Sequence, residues 1–127
     1  LGARPVEAFL ARDVMAVFDN EDTVRSLSPD MTKLALIDAF AVIVTAPGKD
    51  CDFVSRFFAP RAGLPEDPVT GSEHCTLTPY WSARLGRTTL QARQVSGRGG
   101  ELVCTMAGER VRIAGAAVDY LDGHIAV

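Results

Sequence analysis

Cysteine is scarce in this chain. Only Cys51, Cys75 and Cys104 occur, far apart and without the paired spacing of a zinc site. A scattered, odd-numbered set argues against a disulfide framework and makes a reducing, cytoplasmic home the default. Basic excess is missing too: 13 Lys and Arg face 16 Asp and Glu, for a net charge of -3. That balance gives neither nucleic acid nor an anionic membrane an electrostatic reason to bind. Arg84, Arg87, Arg93 and Arg98 are dispersed among small and apolar residues, as on a solvated sheet edge or helix end. No apolar run approaches membrane-spanning length, no signal-peptide pattern opens the chain, and no internal repeat occurs. The chain begins at Leu1 rather than Met, as a processed chain or a fragment would.

What is present suffices for one core. With 127 residues, 47% of them hydrophobic, a single domain over 1–127 is expected. Residues 6–18 read as a strand or two, followed by a turn at Asp19-Asn20-Glu21-Asp22. Ser28-Pro29-Asp30 has the order of a helix start, with Ser as N-cap, and the pattern carries a short helix to about Asp38. Strands are expected over 39–46 and 51–58, closed by Pro47-Gly48 and Pro60. A second helix should run over 72–85. Leu77, Trp81 and Leu85 fall on one of its faces, Gly86 ends it, and Pro79 should kink it or split it in two. Beyond Gly86 the pattern is all β: strands over 89–96, 101–107 and 110–113, and a last one over 117–127. The fold class is therefore α+β, a mostly antiparallel sheet wrapped around one largely apolar helix.

The segment carrying chemical information is Glu66-Asp67-Pro68-Val69-Thr70-Gly71-Ser72-Glu73-His74, a polar turn leading into the second helix. A helix start offers unpaired N–H groups and the positive end of the dipole to an anion. Gly71 lets a ligand approach the backbone, while Asp67 and Ser72 add an acid/base group and a hydroxyl. The plainer alternative is an ordinary helix capped by Thr70 or Ser72.

Asp52-Phe53-Val54-Ser55-Arg56-Phe57-Phe58-Ala59-Pro60 precedes that run. Gln94-Val95-Ser96-Gly97-Arg98-Gly99-Gly100 and Val111-Arg112-Ile113-Ala114-Gly115 follow it. In this order the motifs resemble the C-terminal half of the PhzF-like isomerases, a phenazine-biosynthesis family related in fold to diaminopimelate epimerase. The resemblance runs from about Pro5 to the end. It implies one half of a two-half protein, a curved sheet around a central helix, with the active site in the cleft between halves. The N-terminal half is absent from this chain.

The resemblance implies catalytic roles for Asp67 and Ser72 and substrate contacts from Gly71, Ser72 and His74. Asp67 would hydrogen-bond the substrate's polar substituents, and the Gly71 and Ser72 amides would grip a carboxylate or stabilise developing negative charge. The alternative for His74 is a core histidine facing the sheet, and Arg56 is read as a structural ion-pair partner of Asp67 or Glu66. Gln94, Ser96 and Arg98 match a second block of the family pattern but read most simply as a hairpin turn. Cys75 does not take the place of the cysteine acid/base of diaminopimelate epimerase. Glu73 departs from the small residue usual in the family and would repel an anionic substrate if it faced the cleft. The family's principal acid/base glutamate belongs to the other half; Glu7, Glu21, Glu66, Glu101 and Glu109 do not match its context.

These readings imply a cofactor-independent isomerase, without metal, that moves a proton between carbons of a small carboxylated substrate once both halves are present. The alternative is a non-catalytic half that binds a small anion or self-associates, its partner being the N-terminal half or a second copy in a homodimer.

Overall fold

Alternation along the central strands sends large apolar residues to both sides of a sheet. In β4 (Phe53–Ala59), Phe53 and Phe57 enter one core and Val54 and Phe58 the other. In β3 (Val42–Pro47), Ile43 takes the first side and Val42, Val44 and Ala46 the second. Strands apolar on both faces need cover on both.

The computed structural model of the chain describes residues 1–125. The remaining strands are β1 (Glu7–Leu10), β2 (Val14–Val17), β5 (Leu64–Asp67), β6 (Thr89–Gln94), β7 (Gly100–Ala107) and β8 (Arg110–Ala114). They form a curved sheet in the order β1-β2-β3-β4-β6-β7-β8, with β5 paired to β4. Two neighbour pairs, β2/β3 and β4/β6, are parallel, and the other five are antiparallel. The expected mostly antiparallel α+β architecture is therefore present.

Each parallel pair needs a crossover, and the two crossovers supply the two covers. Between β2 and β3 run α1 (Glu21–Ser26) and α2 (Met31–Leu34), which bury Val24, Leu27 and Leu34 on one face. Between β4 and β6 runs α3 (Gly71–Leu85), which buries Leu77 and Trp81 on the other. The Trp81 indole N–H donates to Thr45 Oγ1 of β3 at 3.0 Å, fixing the helix over the sheet centre.

Several local expectations are corrected. The turn expected at 19–22 is the start of α1: Asn20 accepts from the Thr23 amide at 2.9 Å, and Glu21 pairs with Arg25 one turn on. The N-cap of α2 is Asp30, not Ser28, and the helix ends at Leu34, where bonds to the third residue back tighten the chain. Residues 64–67 form β5, so the polar run that begins at Glu66 starts in a strand rather than in a turn. Helix α3 is not split; it continues through Pro79 as a single 15-residue element. Burial of Leu77 and Trp81 on either side outweighs the one hydrogen bond a proline removes. It ends at Gly86, whose φ of 65° is the left-handed cap that glycine adopts without strain. The expected strand over 117–127 is not formed at 117–125, which is exposed coil, and its last two positions lie outside the described residues.

Candidate functional site

β5 delivers Asp67 to the point where the chain leaves the sheet and turns into α3. Thr70 holds the N-cap position of α3, yet its side chain makes no cap hydrogen bond. Its hydroxyl instead donates to Asp67 Oδ2 at 2.6 Å. The ordinary capped start expected as the plainer alternative is therefore not formed by Thr70. Gly71 and Ser72 follow on the exposed surface, at the positive end of a four-turn helix.

A second element holds this loop in place. Gln94 is fully buried at the end of β6, on the core face set by Leu90 and Ala92. Its Oε1 accepts from the Thr70 amide at 2.6 Å, and its Nε2 donates to the Asp67 carbonyl at 2.8 Å and to Thr70 Oγ1 at 3.1 Å. Ser96 Oγ donates to the Pro68 carbonyl at 2.7 Å and accepts from the Gly99 amide at 3.0 Å. Gly100 lies so close to Val69 that a side-chain carbon there would collide with it. The β6–β7 hairpin thus grips all four residues from Asp67 to Thr70.

Gln94 and Ser96, read in the sequence as part of a hairpin turn, hold the loop, and Thr70 orients the Asp67 carboxyl. One signal was available. With Leu90 and Ala92 apolar at alternate positions, Gln94 is a polar residue in core register, and such a residue needs partners.

The structure brings Asp67, Gly71 and Ser72 to one ridge and takes His74 away from it. His74 is fully buried under α3, its ring 5.9 Å from that of Phe53. Its Nδ1 lies 2.7 Å from the Thr70 carbonyl, which can only accept, so Nδ1 carries the proton. Burial lowers the pKa of this imidazole and keeps it neutral. His74 therefore steadies the loop from inside and presents no atom to the surface.

Glu73 does not face the cleft. Its fully buried carboxyl accepts from Ser55 Oγ of β4 at 2.7 Å. Burial pushes it up to about 8, against the opposing Ser55 hydrogen bond, with Asp67 and Asp13 adding to the rise. At neutral pH it is an uncharged acid, so the repulsion feared for an anionic substrate does not arise from it. Arg56 pairs with Glu66 through two bonds of 2.7 and 3.0 Å. Its remaining amino group donates to the Val24 and Leu27 carbonyls at the end of α1, a structural role as expected. Among the described residues, no group of three or more His, Cys, Asp and Glu is placed to hold a metal ion.

Residues 5–123 match the PhzC-PhzF family of phenazine biosynthesis-like proteins. The chain belongs to that family. An uncharacterized isomerase of Pseudomonas aeruginosa is 51% identical over 126 residues, covering 98% of this chain and 48% of the relative. A PhzF-family phenazine biosynthesis protein of Enterococcus faecalis superposes with a TM-score of 0.89 at 49% identity, covering 91% of this chain and 45% of that one. A putative phenazine biosynthesis PhzC/PhzF protein of Clostridium difficile gives 0.89 at 40% identity, covering 99% and 49%. The chain thus spans about half the length of the phenazine biosynthesis-like relatives it matches.

Proposed function

We propose that this chain forms one wall of the active site of a cofactor-independent isomerase, the other wall coming from a half outside this sequence. The observation that carries the reading is the start of α3, where Thr70 bonds Asp67 instead of capping the helix. In the reaction envisaged, the Gly71 and Ser72 amides hold the carboxylate of a small amino- or hydroxy-acid. They also stabilise the negative charge that builds as a proton leaves an adjacent carbon. Asp67, locked in orientation by Thr70, hydrogen-bonds the substrate's polar substituent. A glutamate of the other half takes the proton from one carbon and returns it to another, so that atoms and charge balance. Isomerase names among the relatives and the family match support this reading.

The test is deuterium uptake from heavy water into small amino- and hydroxy-carboxylic acids by the protein containing both halves. Asp67→Asn should slow uptake by roughly tenfold or more, the worth of a hydrogen bond made by a charged group. Ser72→Ala should slow it less, because its backbone N–H remains. Uptake that is untouched by both substitutions rules out this assignment of the site.

A second reading, a non-catalytic half that self-associates or binds an anion, draws on a different observation. Leu36 after α2 and Val118, Tyr120 and Leu121 in the coil after β8 are each more than four-fifths exposed, apolar side chains without cover in the isolated chain.

A further inference from the structure

Arg25 of α1 and the tip of the β6–β7 hairpin line a groove of about 430 Å³ that also takes in Gln94, Ser96 and Gly100 of the clamp on the Asp67 loop. Arg25, Arg93 and Arg98 all line it. Cys51 lies close by; burial pushes its thiol up, Glu21 and Asp50 add to the rise, and the Arg93 and Arg25 charges act against it. The acceptors are fewer than the donors. Glu21 bonds Arg25 and the Lys49 amide, and Glu101 bonds Arg93 at 2.8 Å. Arg98 makes no ion pair or side-chain hydrogen bond among the described residues. Each guanidinium carries five N–H donors in a planar fork, so most of the donors around this groove have no carboxylate to meet.

We propose that this groove is a binding site for a doubly charged oxyanion, a phosphate group or a small dicarboxylate, gripped by Arg93 and Arg98 with Arg25 as the third wall. It shares Gln94, Ser96 and Gly100 with the clamp on the Asp67 loop but contains none of Asp67, Gly71 and Ser72, and its arginines have no part in the proposed active-site wall. A bidentate arginine fork matches both oxyanions in geometry, and the groove is too small for a large ligand. Glu21 and Glu101 hold Arg25 and Arg93 in place, and in the groove's own lining the three arginines face one carboxylate, that of Glu101.

The experiment is an NMR titration of the purified protein with sodium phosphate, and separately with malonate, at constant ionic strength made up with chloride. Constant ionic strength separates binding from screening. Saturable shifts are expected at the side-chain Nε–H groups of Arg93 and Arg98. Arg98→Gln should weaken binding roughly tenfold, the worth of one charge-assisted hydrogen bond. Arg98 has no partner to lose, so that variant should fold as the parent does. Arg98→Lys should restore only part of the affinity, because a point charge lacks the fork. Either anion saturating supports the site, and the tighter of the two names the ligand class. Linear shifts reproduced by chloride alone, or an affinity unchanged in Arg98→Gln, overturn it. Shifts confined to the Gly71 and Ser72 amides also overturn it, while leaving the proposed active-site wall intact.

Discussion

Glu73 sits where water is absent, and the proton it keeps links the stability of the chain to pH. Its value in the folded chain, about 8, lies above the ordinary 4.5, so folded protein holds a proton that unfolded protein has released anywhere between the two. This contribution is fully present below the ordinary value and is lost as pH rises toward 8. His74 acts in the opposite sense: its pKa is lowered from 6.5, so charging it at low pH favours the unfolded state. Between 6.5 and about 8, Glu73 is the one of the two that titrates. There the stability should fall, with a slope approaching about 1.4 kcal/mol per pH unit. Glu73→Gln keeps an acceptor for Ser55 and removes the titration, so urea unfolding of that variant should be flatter across this window. Parallel curves for parent and variant would mean that Glu73 is not a buried acid. At Thr70 the hydroxyl can be tested apart from the fold. Thr70→Val should cost about 1–2 kcal/mol, the worth of its hydrogen bonds, and Thr70→Ser should recover most of it. Three-bond couplings to Cγ of Asp67 should report one rotamer in the parent and in Thr70→Ser, and averaging in Thr70→Val. A single rotamer in all three proteins contradicts the positioning role.

At the scale of elements, the clamp between the β6–β7 hairpin and the Asp67 loop depends on the close fit of Gly100 against Val69. Gly100→Ala forces one of them to move, and overpacking of this kind costs about 1–3 kcal/mol. The loop should lift away from Gln94, so the Thr70 amide should exchange with solvent faster than in the parent. Unchanged protection of that amide removes the clamp from the account. The same contact shows where sequence reading succeeds and where it stops. Helix α3, its glycine end and the β strands after it follow from periodicity and turn residues close together in the chain. Asp67, Gly71 and Ser72 stand out as candidates because their motif is contiguous. The bonds from Gln94 to Thr70 join residues 24 positions apart, and only the parallel pairing of β4 with β6 brings them together. Helix α1 was missed for a different reason. Its cap and acidic first turn are there to be read, but Asp and Asn also favour turns, and six residues give too little periodicity to decide. The strand expected over 117–127 had the apolar content of a strand, but at 117–125 no neighbouring strand pairs with it.

For the whole molecule, the question is what covers the surfaces left bare. The exposed face of α3 around Cys75 and Pro79 and the apolar side chains of Val118, Tyr120 and Leu121 lie outside both cores of this chain. Relatives of about twice the length carry further sequence that can supply the cover. Burial of such side chains contributes roughly 1.5–3 kcal/mol each, enough in sum to hold two polypeptides together once the entropic cost of association is met. Native mass spectrometry of the 13.6 kDa chain, alone and mixed with the complementary half of a relative, makes this measurable. A one-to-one complex is expected in the mixture, and a dimer is expected for the chain alone if a second copy can take the place of that complementary half. Replacing Tyr120 and Leu121 with Asp should weaken either assembly, because a charge buried without a partner costs more than the lost apolar contact. If the chain stays a 13.6 kDa monomer in both samples, the bare surface is not an interface. The self-associating reading would then be excluded, and the proposed second wall would have to be held by a covalent connection within one polypeptide, as the length of the relatives allows.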